Sequence, residues 1–407
     1  MKKNIFLLSK DVLGKFYLPV YGNTFWKTPN LDELVRKGTV FYRHYTAAPS
    51  SAMAYFSMFT GLNPMDSKMK TYRILSPEER FSGDTLFDKA TALGFECHII
   101  WDAKWDTTAK LHSECYGRDT IFHSLEGIRQ PTGVHAIEGR TVVDDPVKAR
   151  QTCERIEQCV RSIAALEHPT FTWMHLPHVF NGRTGYGTDI DLFDWCVGML
   201  RETFGDDCLY ITADHGNMNG AHGKLGYGFD VYEEASAIPL ITPRINGLER
   251  VDFPTSNIDL FSIIFEGVIP QREFVFSDSA YYAQLHRKLA IIHGRYKYIY
   301  SAQGKREELY DVIYDPHETV NLVHDCVKDP DRGIVLSLHE MYVYPHWDNI
   351  QRELEILRAC RKNVWKKMSK QEYMCAIYEK IGKFIKRKIN FYKKKLRIKV
   401  TNLIYSK

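Results

Sequence analysis

This 407-residue sequence predicts an α/β fold built on a mostly parallel central sheet, and three observations predict it. Short apolar runs alternate with longer segments of helical period through the first two-thirds of the chain, the rhythm of parallel strands covered by helices on both faces. The runs Ile5–Ser9 and Cys208–Thr212 are apolar almost throughout, as strands in a sheet covered on both faces are. After Ser256–Glu266 the rhythm changes to short strands separated by turns, which predicts a small antiparallel appendage.

Each element has its own signal. Ile5–Ser9 is the first strand and runs out at Asp11. Thr28-Pro-Asn-Leu-Asp32 opens a helix, because Pro29 falls in the first turn, where its missing amide costs nothing, and Leu31, Leu34 and Val35 share one face. Thr39–Tyr45 is strand-like, and Ala52–Phe59 is a helix stopped by Thr60-Gly61. Thr85–Leu93 is an amphipathic helix feeding strand Glu96–Trp101. Helix Val147–Leu166 precedes strand Phe171–His175, and helix Asp189–Phe204 precedes Cys208–Thr212. The appendage is drawn from Phe274–Ser277, Lys288–His293, Tyr296–Tyr300 and Leu309–Asp311, with Gly294 at a hairpin turn. Residues 1–266, 267–335 and 336–407 are therefore expected as a catalytic α/β domain, a small antiparallel subdomain and a helical, strongly basic tail.

Bulk composition narrows the class. With 44% hydrophobic and 26% charged residues, a sizeable core is available. The nine cysteines are scattered, odd in number and without a CxxC, which argues against a disulfide framework or a zinc-thiolate site and for a reducing, cytoplasmic setting. The apolar run after Lys2-Lys3 is too short for a signal peptide, and no stretch of about 18 apolar residues marks a transmembrane helix. Eleven Lys/Arg and no acids lie between Lys380 and Lys407, so the remainder of a chain of net charge +4 carries −7. Ile377, Ile381, Ile385, Tyr392, Leu396, Val400 and Leu403 give that tail an apolar face. Three readings stand for it: a solvated helix folded onto the acidic body, attachment to an anionic membrane, or nucleic-acid contact. The apolar face favours peripheral attachment at the inner membrane face over nucleic acid.

The chemistry concentrates at Thr212-Ala-Asp-His-Gly216. Open α/β sheets bind ligands where strands end, and adjacent Asp214 and His215, splayed by a turn, can reach one divalent metal while Gly216 lets the backbone pass closely. His222, in Gly220-Ala-His-Gly223, returns a second imidazole to the neighbourhood. Taken alone, Asp-His-Gly is a weak signal, better explained by a helix cap beside a surface histidine.

Several further segments, in order, resemble the sulfatase family of the alkaline phosphatase superfamily. They are Asn4-Ile-Phe-Leu-Leu-Ser-Lys-Asp11, Thr28-Pro-Asn-Leu-Asp32 with Gly38 and Phe41, Thr60-Gly61-Leu-Asn-Pro64, Pro177-His178, Ala213-Asp-His-Gly216 with Tyr232-Glu-Glu234, and Glu308-Leu-Tyr-Asp311 with Asp315-Pro316, Glu318 and Asn321-Leu322. The resemblance implies an alkaline-phosphatase-like fold and an ester hydrolase or transferase. It puts Ser51 at the nucleophile position, with Ser50 as the competitor one residue away. Sulfatases oxidise that residue to formylglycine, which requires Pro or Ala two positions on and Arg four on. Here those places hold Met53 and Tyr55, so Ser51 is expected to remain an alcohol, as in the phosphoglycerol and phosphoethanolamine transferases that it then resembles.

The implied metal ligands are Asp11, Ser51, Asp214 and His215 around one divalent ion, Mn²⁺, Mg²⁺ or Ca²⁺, with Zn²⁺ also allowed. Where the family commonly carries a second aspartate, this chain has Val12, which leaves a leaner site. His178 and His222 are expected to face the transferred group, one steadying its oxygens and one protonating the leaving alcohol. Tyr55 and Lys224 are expected at the substrate, Tyr55 as pocket wall, with a solvated lysine an equal alternative for Lys224. His175 is expected to pack behind the site rather than ligate.

The first hypothesis is thus a phosphate-ester hydrolase or transferase working through a covalent phospho-serine on a small-molecule, glycan or lipid-linked substrate. A sulfatase is the second hypothesis, and a catalytically silent binding protein the third.

Overall fold

A computed structural model describes residues 4–66, 81, 83–101, 116–117, 119–125, 134–137, 140–143, 146–177, 187–279, 287–325 and 349–366. In chain order the elements that frame the site are β1 (Ile5–Lys10), α1 (Pro29–Lys37), β2 (Thr39–Phe41), β3 (His44–Tyr45), α2 (Ser51–Thr60), α3 (Leu86–Ala92), β4 (Glu96–Trp101) and β5 (Ile121–Ser124). Then follow β6 (Val134–Ile137), β7 (Arg140–Val143), α4 (Pro146–Ala164), β8 (Thr170–Leu176), α5 (Gly187–Phe204), β9 (Leu209–Ala213), β10 (Met218–Asn219) and β11 (Leu225–Gly226). The remaining strands are β12 (Ala237–Ile238), β13 (Leu240–Thr242), β14 (Arg250–Val251), β15 (Thr255–Ser256), β16 (Val275–Asp278), β17 (Lys288–His293), β18 (Tyr296–Ser301) and β19 (Arg306–Asp311).

Eight strands form the central sheet in the order β14-β2-β13-β9-β1-β8-β4-β5. Only β13 runs against its neighbours, so the sheet is mostly parallel as predicted. Alternation along β1 and β8 sends side chains to two separate cores. Leu7, Phe171 and Trp173 pack under α2 and α3 with Met53, Phe56, Phe59 and Phe87. Phe6, Leu8 and Met174 pack under α1, α4 and α5 with Leu31, Ile156, Phe193 and Val197. Every residue of α2 is buried, which fits a helix apolar all round. Phe59 meets Phe87 and Trp173 edge-on at 5.0 and 4.9 Å, and truncating such a ring costs about 3–5 kcal/mol.

The expected strand Thr39–Tyr45 is broken by a turn into β2 and β3, which join different sheets: β3 pairs with β12 and β15. Thr85 is a cap rather than a helical residue, closing a capping box with Asp88. The appendage is a four-stranded antiparallel sheet in the order β16-β17-β18-β19. Its Val275, Ala290, Ile292, Ile299 and Tyr310 pack on Tyr45, Met218, Val231, Tyr232 and Ala235, which brings the small sheet against the strand-end side of the main one.

The chain divides into compact units of residues 1–358 and 359–407. Helical residues 350–358 close the first and bury Ile350, Leu354 and Leu357. In the second, residues 359–366 are helical, and the apolar stripe from Ile377 to Leu403 lies outside the described residues. No helix among the described residues is long and apolar enough to cross a membrane.

Candidate active site

The central strands β9, β1 and β8 end side by side, and their register builds the site in rows. Leu7 pairs with Tyr210 and Trp173, and one step further Ser9 pairs with Thr212 and His175. The next residues on that face, just past the strands, are Asp11 and Asp214. Both carboxylates and His175 are buried, and one ligand atom of each lies within 4.8 Å of the others.

Ser51 enters from the opposite side as the first residue of α2, with Ser50 in extended conformation as the cap. Ser51 Oγ lies 3.1 Å from His215 Nε2 and 3.5 Å from Asp11 Oδ1. His215 Nε2 is 3.4 Å from Asp214 Oδ2 and 4.0 Å from Asp11 Oδ1. Ser50 Oγ, one residue earlier, makes no hydrogen bond among the described residues. His215 Nδ1 lies 2.8 Å from the Gly216 carbonyl, which can only accept; Nδ1 therefore carries the proton and Nε2 presents its lone pair to Ser51.

Asp214 is held by backbone. Its Oδ1 accepts from the amides of Val12 (3.0 Å) and His215 (2.7 Å), while Oδ2 accepts no hydrogen bond. Val12 donates from a left-handed conformation, φ 59°, which a β-branched residue adopts only under constraint. Burial, and then the neighbouring Asp11 charge, hold the Asp214 carboxyl well above the usual carboxylate range. Among the described residues no lysine or arginine pairs with Asp214. Two adjoining buried carboxylates, an unsatisfied oxygen and two imidazoles form a donor set that fits a divalent cation. Gly216 must be glycine: a Cβ there would stand 1.9 Å from the Glu234 carbonyl.

The other expected site residues fall elsewhere. Tyr55 is buried in the aromatic core, edge-on to Trp173 (4.9 Å) and His175 (5.3 Å), with its hydroxyl 3.3 Å from Ser9 Oγ. Burial, then Asp214 and Asp11, hold its phenol well above the usual range, so it stays neutral beneath the site instead of lining an open pocket. Lys224 pairs with Asp230 Oδ2 at 2.8 Å, lies over the Tyr232 ring at 4.7 Å and shares Asp230 with Lys288. His222 is exposed and stacks on Tyr232 at 3.8 Å; it makes no contact with Ser51. His178 lies outside the described residues.

A model of the sulfatase family, described simply as Sulfatase, matches residues 3–266. The chain belongs to the sulfatase family. Among curated relatives of this sulfatase-family chain, the uncharacterized sulfatase YidJ of Escherichia coli (strain K12) is 29% identical over 139 residues, covering 29% of this chain and 28% of the relative. The matched stretch thus spans little more than a quarter of that protein. Among solved structures, the phosphonate monoester hydrolase of Agrobacterium radiobacter superposes with a TM-score of 0.60 at 17% identity, covering 88% of this chain and 96% of that one. A 2-O GAG sulfatase gives 0.59 at 17% identity over 88% and 94%. The alkaline-phosphatase-like architecture that the sequence resemblance implied is therefore shown.

Two features of this sulfatase-family chain escaped the sequence reading. His175 continues the inward stripe Phe171, Trp173 on β8, so strand alternation alone would have aimed it at the Asp11 face. The second is a buried ion network. Glu233 takes Lys15 on Oε2 (3.0 Å) and Lys297 on Oε1 (3.1 Å), Lys297 also meets Glu318 (3.1 Å), and Glu318 accepts the Glu233 amide (2.6 Å). No local sequence pattern links Lys15 to Lys297.

Proposed function

We propose that this chain is a metal-dependent esterase acting on phosphate esters, with Ser51 as nucleophile. The observation that carries the reading is the meeting of Ser51 Oγ with His215 Nε2 at 3.1 Å beside Asp11 and Asp214. The sequence after Ser51 supports it: Met53 and Tyr55 stand where formylglycine formation requires Pro or Ala and Arg, so an unmodified hydroxyl is expected. The phosphonate monoester hydrolase among the solved structures acts, by its name, on a phosphorus ester and lends the same direction.

Asp11, Asp214, His175 and His215 would hold one divalent ion, Mn²⁺, Mg²⁺, Ca²⁺ or Zn²⁺, with Ser51 beside it. When bound, such an ion lowers the pKa of a neighbouring hydroxyl and draws negative charge out of the phosphoryl oxygens. The chain's own part is positioning. The α2 N-terminus carries Ser51 Oγ to the strand ends, and the Val12 and His215 amides fix the Asp214 carboxylate. The Ser51 hydroxyl gives its proton to solvent and its oxygen bonds phosphorus as the phosphorus–oxygen bond of the ester breaks, the alcohol leaving with a proton that we assign to His178. Water or an acceptor alcohol then gives that proton back to His178 and bonds phosphorus, and the departing Ser51 oxygen regains a proton from solvent. Glycan or lipid-linked substrates, and peripheral attachment of the basic tail to anionic membrane, remain part of this proposal on sequence grounds.

Three measurements test it. An intact mass of the Ser51 peptide that is two hydrogens short means formylglycine and overturns the phosphate reading in favour of a sulfatase. Turnover of an aryl phosphate diester, a monoester and an aryl sulfate, with and without chelator, distinguishes the ester classes. No metal-dependent turnover of any of them, with no bound metal, makes the chain a silent binding protein.

A further inference from the structure

The ion network borders a second group of ligating side chains that the catalytic reading does not use. His222, Glu234 and Glu318 each place one ligand atom within 4.8 Å of the others. They come from three distant segments: the loop between β10 and β11, the turn Glu233–Ser236, and the chain beyond β19. We infer that these three residues form a second divalent-cation site, separate from the Asp11 centre, that takes Zn²⁺ or Mn²⁺ and staples the small sheet to the β10–β11 hairpin.

Charge supports this first. Three carboxylates crowd here, Glu233, Glu234 and Glu318, against two ammonium groups, Lys15 and Lys297. Glu233 and Glu318 share the two ammonium groups, which leaves Glu234 as the carboxylate in excess. Glu234 Oε2 is shut off from water and accepts no hydrogen bond, while its Oε1 has only His317 at 3.5 Å. Glu318 is 1% exposed; its Oε1 lies 3.1 Å from the Lys297 ammonium and its Oε2 accepts the Glu233 amide. Unsatisfied buried carboxylate oxygens are costly unless a cation meets them.

Donor chemistry and backbone agree. One imidazole with two carboxylates is a mixed nitrogen–oxygen set, suited to Zn²⁺ or Mn²⁺ better than to Mg²⁺ or Ca²⁺, which favour oxygen alone. Among the described residues neither ring nitrogen of His222 makes a hydrogen bond, and stacking on Tyr232 at 3.8 Å and 6° fixes the ring plane. Among the described residues only five non-glycine positions have positive φ, and two of them are His222 (52°) and Glu318 (54°). Strain of this kind gathers at ligand clamps.

The test is metal stoichiometry of the full chain, loaded separately with Zn²⁺ and Mn²⁺, passed through gel filtration and analysed by elemental mass spectrometry. Two equivalents are expected for the wild type and one for His222→Ala and for Glu234→Gln. His222 is exposed, so His222→Ala is expected to fold, and its circular dichroism melt in chelator should match that of chelated wild type. Asp214→Asn reports on the Asp11 centre alone and should also fall to one. A wild type holding one equivalent, or two equivalents surviving both His222→Ala and Glu234→Gln, overturns the second site. If only Asp214→Asn leaves the count unchanged, the catalytic centre is misassigned and the second site stands.

Discussion

Two carboxylates in this molecule, Asp214 and Glu233, are equally buried and oppositely served. Burial pushes both upward. At Glu233 the ammonium groups of Lys297 and Lys15 more than offset that, and the carboxyl comes down to about 2. At Asp214 the nearest charge is another carboxylate, Asp11, which adds to the burial and holds the acid well above its ordinary range. The chain completes one site from its own side chains and leaves the other in need of a cation. A buried ion pair with both partners present reads as architecture, whereas two buried carboxylates together read as a binding site.

The comparison breaks most visibly in turnover. Ser51→Ala should lower kcat on the responsive aryl ester by on the order of 10⁴-fold or more, as removing one member of an integrated catalytic unit does. Its melting temperature should barely move; retention of full activity would show that the nucleophile lies elsewhere. Asp214→Asn should match that loss by losing metal, and chelator should lower its melting temperature less than the wild type's, by the share of the His222 site alone. An Asn side chain keeps the acceptor for the Val12 and His215 amides, so the chelated variant should be at least as stable as chelated wild type.

Glu233→Gln should do the reverse. It strands Lys15 in the interior and leaves Lys297 with Glu318 alone, and breaking a buried pair by removing one partner costs about 3–5 kcal/mol. Denaturant unfolding should record that loss while the metal bound at Asp11 is unchanged. If Glu233→Gln is neutral and Asp214→Asn destabilises the metal-free chain, the two sites have been assigned the wrong way round.

Proton linkage gives a gentler contrast. A carboxyl raised in the folded state favours folding at low pH and loses that contribution as pH rises. For chelated protein, the Asp214 contribution therefore declines upward from about 3.8, its ordinary value. Glu318, which has only Lys297 against its burial and is pushed up to about 8, declines over the window from 4.5 to about 8. Glu233 acts oppositely: its contribution is full above 4.5 and lost as pH falls toward about 2. Melting temperatures in chelator should consequently fall with rising pH above about 4, and less steeply in Asp214→Asn. Equal slopes in the two proteins would show that Asp214 is not held above its ordinary value.

Local periodicity and turn residues were enough to read the frame. β4 and β17 have the predicted bounds, and Gly294 turns the hairpin from the left-handed region at φ 49°. The meeting of Asp214 and His215 with Asp11 at the strand ends is legible in part, because two adjacent polar residues at the end of an apolar strand need no tertiary knowledge. His222 was close in sequence and was read into the same centre, yet its φ of 52° turns the ring onto Tyr232. Tyr55 was placed at the pocket because its position, four residues past Ser51, matched a family arginine. In the fold that helical face looks into the core, where Trp173 and Phe59 enclose it. The Lys15–Glu233–Lys297 network was illegible, since it forms only when the small sheet docks on the large one.

The smallest predicted effect concerns Val12. Its amide must point at Asp214, and the left-handed conformation that aims it costs a β-branched residue roughly 1–2 kcal/mol. Asp tolerates that region better than Val. Val12→Asp would also restore the carboxylate that the sulfatase family commonly carries there. Metal affinity in hard oxygen sites rises with the number of charged ligands, so calorimetric titration with Ca²⁺ or Mn²⁺ should show binding tighter by roughly tenfold, about 1.4 kcal/mol. The same substitution should lower the melting temperature in chelator, because a third acid would join two buried ones. Unchanged affinity together with an unchanged metal-free melting temperature would show that the new carboxylate points to solvent, away from Asp11 and Asp214.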